Sequence, residues 1–134
     1  MYLVDTNVWL TALLTLEKAD EARRFLRSVP AEQISITEFS LYSIGIVLTR
    51  LKKPKLFEDF ISDTLEESAA GSIRLDLVDL KRILQIQRQS PLDFDDAYQY
   101  VAAQKHNLVL VSYDHDFDRV KPGRKTPGEL LIDL

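Results

Sequence analysis

The feature that most constrains this chain is a series of very short apolar runs, each stopped by a polar or acidic residue. Met1–Val4 halts at Asp5, Gln33–Ile36 runs into Thr37-Glu38, Ile73–Asp76 ends on its own acid, and Leu108–Val111 is followed by Ser112 and then Asp114. Met1–Val4, apolar throughout, suits a strand buried on both sides, and Leu108–Val111, β-branched and apolar, is the clearest strand; Gln33–Ile36 and Ile73–Asp76 are further short strands. Between them lie stretches with helical spacing. Val8, Leu10, Ala12, Leu13 and Leu14 predict a short helix. Ala19–Val29 carries the stripe Ala19, Ala22, Phe25, Leu26 and Val29, and Pro30 stops it. Leu41, Ile44, Leu48 and Leu51 share a face of a helix from Thr37 to Lys52. Leu56, Phe60, Ile61 and Leu65 do so over Lys55–Ser68, before Gly71. Asp79 is the expected N-cap of a helix to Gln89. A further helix from Asp93 has Phe94, Ala97, Tyr98, Val101 and Ala102 as its stripe.

Short strands alternating with helices predict an α/β chain with a parallel sheet covered by helices on both faces. With 134 residues, no repeat and no Gly/Ser linker, residues 1–134 are expected to form one domain. No apolar run approaches the ~20 residues of a membrane helix, so no membrane role is expected. The opening MYLVDTNVWL lacks a basic n-region and a cleavage site, and there is no cysteine. Both features fit a cytoplasmic, reducing compartment. They also leave oxygen as the ligand for any metal, since there are only two histidines, His106 and His115. Seventeen Lys+Arg against 21 Asp+Glu give a net charge of −4, which excludes a broad basic surface for nucleic acid.

In parallel sheets ligands bind beyond the carboxyl ends of the strands. Asp5, Glu38 and Asp114 fall there, and Asp95 and Asp96 open the helix that leads into the last strand. Carboxylates gathered on one edge repel one another unless a cation joins them, and Mg²⁺ and Mn²⁺ prefer such oxygen sets. Each acid also has a structural explanation. Glu38 completes a capping-box pattern in Ser35-Ile36-Thr37-Glu38, and Asp93 with Asp96 has the same spacing. Asp5 suits a helix cap, and Asp114, Asp116 and Asp118 suit a solvated loop. Four acids at the ends of separate elements argue jointly for a metal site.

The residues then match a family. Tyr2-Leu3-Val4-Asp5-Thr6-Asn7, Ser35-Ile36-Thr37-Glu38, Asp96-Ala97 with Ala102 and Ala103, and Leu110-Val111-Ser112-Tyr113-Asp114-His115-Asp116-Phe117 resemble the four motifs of the PIN-domain nucleases. The chain is most similar to the small VapC-type toxin ribonucleases. The resemblance implies a three-layer α/β/α sandwich around a parallel sheet of four or five short strands. It also implies a metal-dependent endoribonuclease, the toxin of a type II toxin–antitoxin pair. Asp5, Glu38, Asp96 and Asp114 fall on its catalytic acids, with Asp5, Asp96 and Asp114 as ligands to Mg²⁺ or Mn²⁺. The Asp-Ala pairing favours Asp96 over Asp95. Thr6 and Ser112 fall on supporting hydroxyl positions, Asn7 on a loop-holding position and Asp116 on an additional acid. An antitoxin partner and a homodimer are implied as well.

An acidic site does not attract RNA by itself. Arg119, Lys121, Arg124 and Lys125, directly after the last acidic motif, are the first candidates for that contact; Arg50, Lys52, Lys53 and Lys55 are the second. Trp9, Tyr42, Tyr98, Tyr100 and Tyr113 are stacking candidates, although helical spacing favours the core for most of them. Three other readings compete. One is a phosphatase with Asp5 as nucleophile, against which Asn7 stands where a second Asp is needed. The others are a PIN-fold nuclease outside any toxin–antitoxin pair and a catalytically silent interaction domain.

Overall fold

A computed structural model describes all 134 residues. Four parallel strands, β1 (Tyr2–Val4), β2 (Ile34–Thr37), β3 (Gly71–Ile73) and β4 (Val109–Val111), form a sheet in the order β3-β2-β1-β4. Leu3 pairs with Ser35 on one side and Leu110 on the other, and Thr37 pairs with Ile73. The outer edge of β4 carries one further bridge, in which Lys125 N–H donates to Leu110 O (2.8 Å) and Ser112 N–H to Lys125 O (3.0 Å).

The helices are α1 (Thr6–Leu13), α2 (Ala19–Ser28), α3 (Glu38–Arg50), α4 (Pro54–Phe60), α5 (Leu77–Gln89), α6 (Phe94–Lys105) and α7 (Pro127–Ile132). They cover both faces of the sheet. Leu3 and Leu110 pack with Ile83, Val101 and Phe117 on the α5–α6 side. Val4, Ile34, Ile36 and Val111 pack with Val8, Phe25, Ile44 and Leu48 on the α1–α3 side. This is the expected three-layer arrangement, and it explains why the central strand β1 and its neighbour β4 read as continuous apolar runs. A positive φ of 53° at Asn107, a conformation asparagine tolerates, ends α6 and turns the chain directly into β4. No helix is long and apolar enough to cross a membrane.

Four boundaries differ from the sequence expectation. The third strand is Gly71–Ile73, not Ile73–Asp76: Gly71 joins the ladder opposite Ser35, and Leu75 N–H is drawn off the sheet to the Tyr98 hydroxyl (3.0 Å). Asp76, not Asp79, caps α5, and Asp79 closes the capping box by accepting from Asp76 N–H (2.8 Å). The expected Lys55–Ser68 helix is regular only over Pro54–Phe60 and widens into π geometry at Ile61–Glu66. Thr37, not Ser35, caps α3, because Ser35 is held in the β2 ladder.

Candidate active site

Asp5 leaves β1 and N-caps α1. Its backbone N–H is tied to Val111 O (2.9 Å), which locks it beside the end of β4. It is only 5% exposed, yet its carboxylate is fully engaged. Oδ1 accepts from Thr6 N–H (2.8 Å) and from Gln99 Nε2 (2.9 Å). Oδ2 accepts from the Ser112 hydroxyl (2.8 Å) and from Asn7 Nδ2 (3.2 Å). Burial pushes its pKa up, and the Gln99, Ser112 and Thr6 hydrogen bonds oppose that shift.

Asp96 stands in the first turn of α6, one residue beyond exposed Asp95. Asp93 occupies the N-cap position without a side-chain cap bond, and Asp96 does not fold back to it, so the capping-box explanation of this pair fails. Asp96 is 8% exposed. Its pKa is pushed up to about 8 by burial and then by the charges of Asp114, Asp95 and Asp5. Asp114 follows β4 and caps a single 3₁₀ turn, His115–Arg119, with Oδ1 accepting from Asp116 N–H (2.9 Å). Carboxylate oxygens of Asp96, Asp114 and Asp116 lie within 4.8 Å of one another. Asp5, Asp95 and Asp96 line a cleft of about 130 Å³ with Phe39, Ser43 and Gln99.

Glu38 does not join this set. It is the first residue of α3, half-buried, and like Asp5 it belongs to neither group of acids within 4.8 Å, Asp96–Asp114–Asp116 or Asp93–Asp95–Asp96. Its Oε2 accepts from the exposed Tyr42 hydroxyl at 3.4 Å. Besides Phe39 and Ser43, which line the cleft, α3 sends the fully buried Ser40 into the hydrogen-bond network around Asp5. Its Oγ accepts from the Thr6 hydroxyl (2.8 Å) and from Gln99 Nε2 (2.7 Å). Ser40 and Gln99 escaped the reading of the sequence. The available signal was a polar residue at an inward position: Ser40 is in phase with Ile44 and Leu48, and Gln99 interrupts Ala97–Ala103.

The remaining candidates hold the loop after β4. Asn7 Oδ1 accepts from Tyr113 N–H (3.1 Å), and Ser112 Oγ accepts from Asp114 N–H (3.0 Å). The Tyr113 hydroxyl donates to Glu21 (3.1 Å) and is a strut to α2; burial and that bond raise its pKa. Arg124 grips Asp118 (3.1 and 3.2 Å), His115 Nδ1 (3.0 Å) and Ser112 O (3.3 Å). Arg119 bonds Pro91 O (2.7 Å) and pairs with Asp116. Of the first basic cluster, Lys121 and Lys125 therefore remain exposed and uncommitted by any ion pair. The second cluster sits at the other end of α3, about 18 Å from its start at ~1.5 Å per residue. Trp9 and Tyr98 are buried core residues. Tyr100 is also buried, with its hydroxyl donating to Lys121 O (2.6 Å).

An all-oxygen group of this kind suits a hard divalent cation such as Mg²⁺ or Mn²⁺. Asp96 supports that fit by a second observation: no protein N–H or hydroxyl donates to its carboxylate, and three acids surround it.

The sequence matches the family model for the PIN domain over residues 2–122. Among solved structures the chain is similar to a toxin–antitoxin complex from Klebsiella pneumoniae, with TM-score 0.74, 23% identity and coverage of 95% of this chain and 98% of that one. It is similar also to VapC20 of Mycobacterium tuberculosis, a sarcin–ricin loop cleaving toxin (TM-score 0.75, 14% identity, 88% and 93% covered). FitAcB from Neisseria gonorrhoeae gives TM-score 0.75 at 16% identity, with 96% and 99% covered. At these identities the likeness is one of fold. No curated protein matches the chain.

Proposed function

The chain belongs to the PIN-domain family of nucleases, and from that premise we propose that it is a Mg²⁺- or Mn²⁺-dependent endoribonuclease, the toxin of a type II toxin–antitoxin pair. The observation that carries the reading is the meeting of Asp96 and Asp114 beside Asp5 at the carboxyl edge of β1 and β4. Asp5, Asp96 and Asp114 would hold the cation. A divalent ion in such a set neutralises phosphate charge and makes a bound water more acidic. The chain's own residues do the rest. Thr6 N–H, Gln99, Ser112 and Asn7 fix the Asp5 carboxylate in one orientation. Asp116 N–H and Ser112 fix the loop that carries Asp114, and the Asp116 carboxylate adds charge beside it. Lys121 and Lys125 lie on the same loop, where exposed cations draw an RNA backbone toward the acids.

The toxin–antitoxin structures among its relatives support an antitoxin partner. So does the apolar surface of α3, where Tyr42 and Ile46 stand exposed beside a groove of about 460 Å³. A homodimer in the cytoplasm completes the reading. Incubation of purified protein with a defined RNA panel under Mg²⁺, Mn²⁺ and chelator tests it. Cleavage requires the cation and vanishes in Asp96→Asn; unchanged ribonuclease activity in Asp5→Asn overturns the assignment.

A further inference from the structure

One buried side chain near the acids is explained neither by the sheet nor by the family motifs. Gln99 is 2% exposed and lies three residues after Asp96 on α6, so one helix face carries both. Its carboxamide is saturated. Oε1 accepts from the Thr37 hydroxyl (2.7 Å), while Nε2 donates to Asp5 Oδ1 (2.9 Å) and to Ser40 Oγ (2.7 Å). The direction of the amide follows from the helix cap. Thr37 Oγ1 accepts from Ser40 N–H (3.0 Å) as N-cap of α3, so its own proton points to Gln99. That proton calls for the amide oxygen, which leaves the amide N–H groups to face Asp5 and Ser40. The reversed amide would set its oxygen against a carboxylate.

We propose that Gln99 is a positioning residue that aims the Asp5 carboxylate at the cation, with Thr37 setting the direction of its amide. The proposal rests on the cation-binding reading above. Outer partners of metal ligands act in this way by fixing ligand orientation. Because α6 carries both Asp96 and Gln99, the same helix sets one acid and orients another across the cleft.

The test is Mn²⁺ binding by calorimetry, without RNA, for wild type, Gln99→Met, Thr37→Val, the double variant and Thr37→Ser, each kept well below its melting temperature in chelator. Gln99→Met keeps volume and removes the amide; it is expected to weaken Mn²⁺ binding about 10- to 100-fold. Thr37→Val, nearly the same shape, weakens it in the same direction, and Thr37→Ser, which keeps the hydroxyl, restores it. The double variant is no worse than Gln99→Met alone, since both act on one carboxylate. Should Gln99→Met fail to fold, the Thr37→Val and Thr37→Ser pair decides. A Gln99→Met or Thr37→Val protein with wild-type Mn²⁺ affinity overturns the proposal, as do additive losses in the double variant. Wild-type protein that binds no Mn²⁺ overturns the cation reading itself, a different result from wild-type binding that Gln99 does not influence.

Discussion

Asp5 and Asp96 line the same cleft, and they are held in opposite ways. Four donors reach the Asp5 carboxylate, from Thr6, Gln99, Ser112 and Asn7. No N–H or hydroxyl donates to Asp96, which instead meets the carboxyl groups of Asp114, Asp95 and Asp5. Burial raises the pKa of both, but only at Asp5 do hydrogen bonds oppose the rise. The Asp5 side is therefore prebuilt by the protein. The Asp96 side needs a proton or a cation to be quiet. A site of this design keeps one ligand rigid and leaves the other as the place where charge is missing.

The largest effect that sharpens the contrast is on cleavage and stability together. Asp5→Asn and Asp96→Asn should each lower RNA cleavage by about 100-fold or more, the scale of losing a preorganised electrostatic contact. Their stabilities should then move apart. Asp5→Asn sets an amide N–H against donors on one side of the group and costs about 1–3 kcal/mol. Asp96→Asn removes a repelled charge and raises the melting temperature in chelator. Equal destabilisation of both variants breaks the comparison.

The pH dependence comes next. The Asp96 pKa is about 8 in the native state against 3.8 for an ordinary aspartate, so between those values the native state holds a proton that the unfolded chain has lost. Stability in chelator therefore falls as pH rises through that window, and Asp5, also raised, adds in the same sense. Mn²⁺ opposes the fall because the cation takes the proton's place. Thermal melts at pH 5, 7 and 9 check this, and Asp96→Asn should flatten the slope.

A smaller effect separates the rim from the cleft. Glu38→Gln should leave the cleavage rate within a small factor of wild type, because Glu38 contacts Tyr42 and not the acid cluster. A loss as deep as that of Asp96→Asn places a further carboxylate in the site. The smallest effect concerns charge at a distance. Lys121→Glu with Lys125→Glu should weaken RNA binding and reduce its salt slope. Arg50→Glu with Lys53→Glu, at the far end of α3, should leave the slope unchanged. Filter binding from low to high salt measures both.

Much of the fold was legible locally. Short apolar runs ending in polar residues, clearest at Met1–Val4 and Leu108–Val111, mark buried strands, and their alternation with amphipathic helices leaves a parallel sheet as the economical arrangement. Asp5, Glu38 and Asp114 stood out because the carboxyl edge of such a sheet is where ligands go, and Asp96 because its Asp-Ala pair resembles a family motif. Boundaries set by competition were not. Leu75 leaves the sheet because a hydroxyl from Tyr98, 23 residues on, captures its N–H. The cap of α3 moves from Ser35 to Thr37 because β2 claims Ser35 for its ladder.

By itself, then, the sequence determined the α/β layering, the strands β1, β2 and β4 and the acids that follow them, because hydrophobic periodicity and turn chemistry act over a few residues. Tertiary structure decided which of those acids meet. On α3, Glu38 accepts from Tyr42 while Ser40 turns inward to Thr6 and Gln99, a difference of helical phase that no motif displays. It also decided that Arg124 braces the loop with its guanidinium on Asp118. Likewise, it set Gln99 against an aspartate 94 residues away. Such pairings depend on where side chains meet through space, and a hydrogen bond carries no trace of its distant partner in the local pattern of residues.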